Sequence, residues 1–201
     1  MRTATCYQLH GLTTELAGVE AQGDALLAAL RRADTSALRD VYRQHHEAVR
    51  AFARRLLSSD ADAEEIVQDV FVDLPRAVRS FRGECALSTF VMSVAVNHAR
   101  HFMRAAGRRR AAHSRLAEEQ SSQVAAAPAA DQAAEREELA RRLLRAMTEL
   151  SPEQRLAFVL CDVEERTSQE AAQILGIPAS TLRSRLSVAR ETLRALLEEA
   201  P

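Results

Sequence analysis

The most concentrated chemistry in this chain lies in the run ASTLRSRLSVAR, which carries Ser180, Thr181, Arg183, Ser184, Ser187 and Arg190. An arginine can place two parallel hydrogen bonds on a guanine edge in the major groove, and hydroxyls bond several base edges. Guanidinium groups that do not reach bases hold phosphates, which fixes register on a duplex. No nucleophile with a neighbouring base and no phosphate-cradling loop accompanies them, so the chemistry on offer is recognition and no catalysis is expected.

Such a face needs a helix behind it. Leu182, Leu186, Ala189 and Leu193 recur at helical spacing on the opposite side of the same segment. Upstream, Thr167 and Glu170 have the spacing of a capping box, and Ala171, Ile174 and Leu175 follow on one side. Gly176 can take the left-handed conformation that closes a helix, and Ile177 and Pro178 lead into the next. Two short helices around a tight turn, the second with hydroxyls and guanidinium groups outward, form a helix-turn-helix. A helical hairpin with solvated arginines has the same pattern, so the rest of the chain must separate the two.

A second polar face lies in TFVMSVAVNHARHFMRAAGRRR, where Ser93, Asn97, Arg100, Arg104 and Arg108 recur every three or four residues while Val91, Val94, Ala95 and Phe102 turn inward. A polar reader amid guanidinium groups fits a nucleic-acid surface. The preceding FRGECALS, from Phe81 and Arg82 through Gly83 to Ser88, reads as a loop. A third face is acidic. In DADAEEIVQDVFVDL, the stripe Ile66, Val67, Val70, Phe71 and Leu74 faces inward, and Asp62, Glu64, Glu65, Gln68, Asp69 and Asp73 remain outside. The helix dipole favours acids in a first turn but explains neither Asp69 nor Asp73. Such a face suits a basic protein partner.

Composition bounds these readings. The chain has 201 residues, 47% apolar content and few aromatics, which favours an all-α protein with one moderate core or two small ones. Its formal charge is -1, so no global basic field holds nucleic acid. All basic side chains are arginine, which suits phosphate contacts but follows equally from the base composition of a genome. Cys6, Cys85 and Cys161 are odd in number and lack a CxxC, so neither a disulfide framework nor a zinc ribbon is indicated and a reducing cytoplasm is expected. No apolar run approaches the roughly 20 residues that span a bilayer, so membrane insertion is not expected.

Two small helical domains joined by a flexible linker are expected, the C-terminal one containing the helix-turn-helix. Residues 1–22 lack a clear period and read as a loose leader. Residues 23–115 form the first domain: Leu26, Leu27 and Leu30 mark a short helix, and Asp34 and Thr35 signal a longer one through Leu57 with Leu38, Val41, Tyr42, Val49, Phe52, Ala53 and Leu56 as core. Residues 116–134 are acidic, alanine-rich and interrupted by Pro128, with too little apolar surface to fold alone. Residues 135–201 form the second domain, where Ser151, Pro152 and Gln154 open a helix carrying Leu156, Val159, Leu160 and Val163.

Taken in order, these segments resemble the extracytoplasmic-function (group IV, sigma-70) class of bacterial RNA polymerase sigma factors. DADAEEIVQDVF is similar to the helix that docks on the polymerase clamp, FRGECALSTF with VAVNHAR to the reader of the minus-10 element, and LSPEQRLAFVL with TSQEAAQILGIPASTLRSRLSVAR to the reader of the minus-35 element. The resemblance implies partners: core RNA polymerase at its clamp and flap, promoter DNA, and an anti-sigma factor that holds the free protein inactive. It implies no cofactor and no metal. It makes Asp62, Glu65, Gln68, Asp69 and Phe71 the clamp contact. It places Asn97, Arg100 and Arg104 on minus-10 DNA, with the loop of Phe81, Arg82, Gly83 and Ser88 around a flipped base. Ser180, Thr181, Arg183, Ser184, Ser187 and Arg190 then read minus-35, and the linker threads toward the active-site channel.

The chain departs from the family pattern at Pro75, where a bulky residue is common and which implies an early end to the clamp helix. Phe90 stands where tryptophan is common, and Val188 where a basic residue is common, which implies an unusual minus-35 preference. Energetics favour a polymerase partner. Opening about a dozen base pairs at about 1.4 kcal/mol per step costs on the order of 15 kcal/mol. One or two captured bases return about 1 to 3 kcal/mol each, so the chain alone cannot melt DNA.

Two other readings remain at this point. A stand-alone helix-turn-helix regulator explains the C-terminal domain equally well but gives no role to the strip around Asn97. A metal sensor or enzyme is suggested by the six histidines, yet Arg50 stands where a zincin would place its second histidine after His46 and Glu47. His98 with His101, or Cys6 with His10, supplies only two ligands.

Overall fold

The computed structural model describes residues 25–57, 59–116 and 132–198, and among these no strand occurs. The expected leader, residues 1–22, lies outside them. So does most of the expected linker, although Leu116 closes one helix and the next begins at Gln132. The elements are α1 (residues 25–31), α2 (Thr35–Leu56), α3 (Asp60–Ala77), a 3-10 turn (Val78–Ser80), α4 (Leu87–Leu116), α5 (Gln132–Glu149), α6 (Pro152–Phe158), a π turn (Val159–Val163), α7 (Ser168–Leu175) and α8 (Ala179–Glu198).

Helices α1 to α4 bury Leu30, Val41, Phe52, Ile66, Val70 and Ala95 in one apolar centre. Asp34 starts α2 by accepting the amides of Ser36 and Ala37 at 2.9 and 3.0 Å. Those amides, Ala37 first, hold its carboxyl below the ordinary 3.8. The cap therefore stabilises α2 above that pH and is lost as pH falls through the lower folded value. Tyr42, expected in the core, is 41% exposed and lies on the outside of α2 against His46 and Phe71. Its position is one residue round from Val41, at the edge of the apolar stripe.

Pro75 does not end α3, contrary to the sequence expectation; the helix runs through it to Ala77. A proline removes one backbone bond, here to the carbonyl four residues back, and this loss falls in the last turn. Burial of Leu74 and Val78 on either side holds the turn in place.

In the C-terminal half, Ser151 and Gln154 close a full capping box on α6, and Thr167 and Glu170 do the same on α7. The helix opened by Ser151 changes to π pitch at Val159, so Leu156 and Leu160 stay buried while Val163 is only half-buried. Gly176 ends α7 at φ 64°, and α8 buries Leu182, Leu186, Ala189 and Leu193. The halves touch: α4 packs on α6 and α7, and α2 meets the π turn.

A methyl group at Gly176 meets no atom within 4 Å, so Gly176→Ala carries only the left-handed backbone penalty, about 1–2 kcal/mol. Leu182→Ala, at 0% exposure, costs about 2–5 kcal/mol. The chain has no tryptophan, so urea titration followed by far-ultraviolet circular dichroism is the measurement, with Leu182→Ala expected to lower the midpoint further.

Candidate nucleic-acid interface

The helix-turn-helix presents its outward face as the apolar spacing requires. Arg183, Ser184 and Ser187 are exposed on α8, Ser180 is exposed at its start, and Thr181 is half-buried. Arg183, Ser187, Arg190 and Arg194 of α8 face Ser168 of α7 across an open cleft of about 580 Å³. Guanidinium groups on one wall of a polar cleft suit a phosphate backbone. Arg190 is committed elsewhere: its Nε donates to Asp162 Oδ2 at 2.8 Å and its Nη2 to Asp162 Oδ1 at 2.5 Å. This fork ties α8 to the π turn. Hydrogen bonding by Asp162 and its charge push the guanidinium pKa up.

On α4, Asn97 is exposed, and its Oδ1 accepts Arg100 Nη1 at 2.8 Å. Val91, Val94 and Ala95 are buried beneath that strip, while Phe102 is half-buried under the guanidinium of Arg109. Arg100 and Arg104 are on the expected side of the helix, yet both turn toward Glu153 of α6. Arg104 Nη2 donates to Glu153 Oε1 at 2.9 Å. Arg100 Nε lies 3.0 Å from the same oxygen, but its N–H is not aimed at an acceptor, so that contact is an ion pair without a hydrogen bond.

The loop between α3 and α4 splits into two parts. Arg82 and Gly83 are exposed, with Gly83 turning the chain at φ 78°, whereas Ser88, expected in the loop, is exposed in the first turn of α4. Phe81 is buried at 6% exposure, its ring 4.6 Å from that of Phe90 and its carbonyl accepting Arg31 Nη2 at 2.8 Å. Phe81 therefore anchors the loop. Within the loop, burial and then the charge of Glu84 raise the pKa of the Cys85 thiol.

On the acidic face of α3, Glu65, Gln68 and Asp69 are exposed, Asp62 is half-buried, and Phe71 is half-buried against the core and edge-on to Tyr42. Val72 stands 79% exposed among these acids. His98 of α4 lies 3.2 Å from Asp73 and 3.9 Å from Asp69, so it faces α3. Among the described residues, no group of three or more His, Cys, Asp or Glu is placed to hold a metal, and no helix is long and apolar enough to cross a membrane.

Sequence reasoning missed Glu153, Arg185 and Ser168. Glu153 reads locally as a favourable acid in the first turn of α6, and Arg185 as one more solvated arginine. Their meeting, Arg185 Nη1 to Glu153 Oε2 at 3.0 Å, spans two helices and has no signature in either.

Comparison with known proteins agrees with this layout. Residues 41–109 match the family model for Sigma-70 region 2, and residues 140–193 that for Sigma-70, region 4. The chain is 31% identical over 172 residues to the ECF RNA polymerase sigma factor SigM of Mycobacterium tuberculosis, covering 86% of this chain and 83% of that protein. It is 30% identical over 158 residues to the ECF RNA polymerase sigma-E factor of Escherichia coli, covering 76% and 82%. Solved structures share its fold, among them two complexes. One is CnrH in complex with the cytosolic domain of CnrY, with TM-score 0.60, 22% identity and coverage of 88% and 97%. The other is the sigma factor RpoE in complex with the anti-sigma factor NepR from Bartonella quintana, with TM-score 0.55, 27% identity and coverage of 81% and 98%. The chain belongs to the extracytoplasmic-function family of RNA polymerase sigma factors.

The Arg190 and Asp162 side chains are 54% and 23% exposed, so their attraction is screened. A double-mutant cycle of Arg190→Ala and Asp162→Ala, followed by urea unfolding, is expected to give a coupling of about 0.2–1 kcal/mol that shrinks in high salt.

Proposed function

We propose that this chain docks on core RNA polymerase and directs initiation at promoters whose minus-35 element it reads with α8 and whose minus-10 element it reads with α4 and the loop before it. Asp62, Glu65, Gln68 and Asp69 present charge and hydrogen-bonding groups to the polymerase clamp, with Phe71 shaping the helix beneath them. Arg183, Ser184 and Ser187 take base edges, Ser180 and Thr181 serve the start of the recognition helix, and Arg190 gives a phosphate its remaining N–H groups. Asn97 reads the minus-10 strand with Arg100 and Arg104 on its phosphates. Arg82, Gly83 and Ser88 surround a flipped base, and Phe81 fixes the loop from below.

The observation that carries this reading is the occurrence of both sigma regions in one chain, each with an outward polar face on a helix whose other side is buried. A stand-alone regulator needs only the second. The protein acts in the cytoplasm, where its polymerase is, and is held inactive there by an anti-sigma factor. The solved neighbour RpoE, which is crystallised with one, supports that partner.

Run-off transcription from the DNA upstream of the chain's own coding sequence, with purified core polymerase, tests the assignment. Wild type should initiate only with core present. Asp69→Arg should abolish core-dependent initiation. Arg183→Ala should lower it by about 5- to 150-fold, the range of one lost base contact of about 1–3 kcal/mol. Tight binding of the same DNA without polymerase, and no transcript, would return the chain to the stand-alone regulators.

A further inference from the structure

Glu153 gathers guanidinium groups from both halves of the chain. Arg185 of α8 reaches Oε2 at 3.0 Å from within the C-terminal half. Arg104 and Arg100 of α4 reach Oε1 at 2.9 and 3.0 Å from the N-terminal half. Arg100 in turn holds the side-chain oxygen of Asn97 at 2.8 Å. One carboxylate thus occupies Arg100 and Arg104, two of the three arginines of the minus-10 strip, and, through Arg100, the side-chain oxygen of its polar reader. The recognition face of α8 stays open, with Arg183, Ser184 and Ser187 exposed. A second ion pair, Arg55 of α2 with Glu164 beside the π turn, closes the halves at another point.

This arrangement cannot be the one that reads a promoter. Elements named for positions minus-35 and minus-10 are about 25 base pairs apart, roughly 85 Å at about 3.4 Å per pair. A compact body of 201 residues has a radius of gyration of only about 17 Å. A carboxylate on an arginine pair also supplies the charge and the paired acceptor oxygens that a phosphate would.

We propose that Glu153 is an internal stand-in for promoter phosphate: it holds Arg100 and Arg104 in a closed chain, so that minus-10 DNA is refused until the halves separate. Arg185 is the positioning residue that aims Glu153 across the gap. The proposal rests on the sigma reading above for the identity of the strip, but its test needs no polymerase.

The full-length chain is titrated with a short fluorescent thymidine homopolymer, because phosphate contacts are independent of sequence. Glu153→Gln should bind about tenfold more tightly, within the usual range of coupling between sites. Freeing two arginines should steepen the slope of log K against log salt by about 1.4, at about 0.7 per phosphate on a single strand. Glu47→Gln makes the same charge change on exposed α2 away from the clasp, and should stay within about twofold of wild type. Arg55→Gln removes a positive charge, so simple electrostatics predicts weaker binding and release of the closed form predicts tighter binding. Small-angle scattering should show both Glu153→Gln and Arg55→Gln more extended than wild type.

Wild-type affinity and salt slope in Glu153→Gln would overturn the proposal, as would weaker binding by Arg55→Gln. If Glu153→Gln does not fold, the Arg55→Gln titration and scattering decide alone. Loss of run-off activity with these results intact would sink the sigma assignment and leave the clasp standing.

Discussion

A guanidinium group without a phosphate needs another anion, and much of this structure follows from that constraint. The chain balances 27 basic residues against 28 acidic ones, so carboxylates are close at hand wherever arginines project. Glu153 takes Arg100, Arg104 and Arg185; Asp162 takes Arg190; Glu64 and Asp60 take Arg50 and Arg54. Each pair is partly exposed and weak singly. Together they decide which arginines are available to DNA and which brace the fold.

The same constraint explains what was legible in advance. Signals that act within one turn were readable: Thr167 with Glu170, Ser151 with Gln154, and Gly176 each close a helix end with neighbouring atoms. Apolar spacing placed Ile66, Val70, Leu182 and Leu186 correctly because burial of a stripe depends only on helical period. Tyr42 failed because one step of 100° from Val41 moves a residue from stripe to edge. Pro75 failed because its cost depends on where in the helix it falls and on the buried neighbours that offset it. The candidate faces were readable as polar residue types on the outer sides of α3, α4 and α8, but the partners of Arg100, Arg104 and Arg190 were not. Those pairings span 28 to 53 residues of chain, and only tertiary packing selects them.

Helix α4 joins these two levels. At 30 residues it is about 45 Å long, longer than its own domain needs. Its first half buries Val91, Ala95 and Ala99 in the N-terminal core, and it also packs on α6 and α7 of the other half. A helix used in two cores has few directions left for its polar side chains. Asn97 and Arg104 emerge in the direction that remains, and Arg104 is there met by α6.

The acidic face of α3 has the opposite history. Glu64 and Asp60 are paired with arginines of α2, which face back toward the fold, whereas Asp62 and Glu65 make no ion pair among the described residues. Among the described residues, Asp69 and Asp73 make ionic contact only with the ring of His98. A chain rich in arginine has thus paired Arg100, Arg104 and Arg190 with carboxylates and left this acidic face charged, with Val72 exposed in its midst. Surface charge of one sign around an apolar contact steers a partner of the other sign and fixes its register. The described residues are therefore asymmetric in charge: the guanidinium groups of Arg100, Arg104 and Arg190 are met by carboxylates, and the carboxylates of Asp62 and Glu65 are met by no cation.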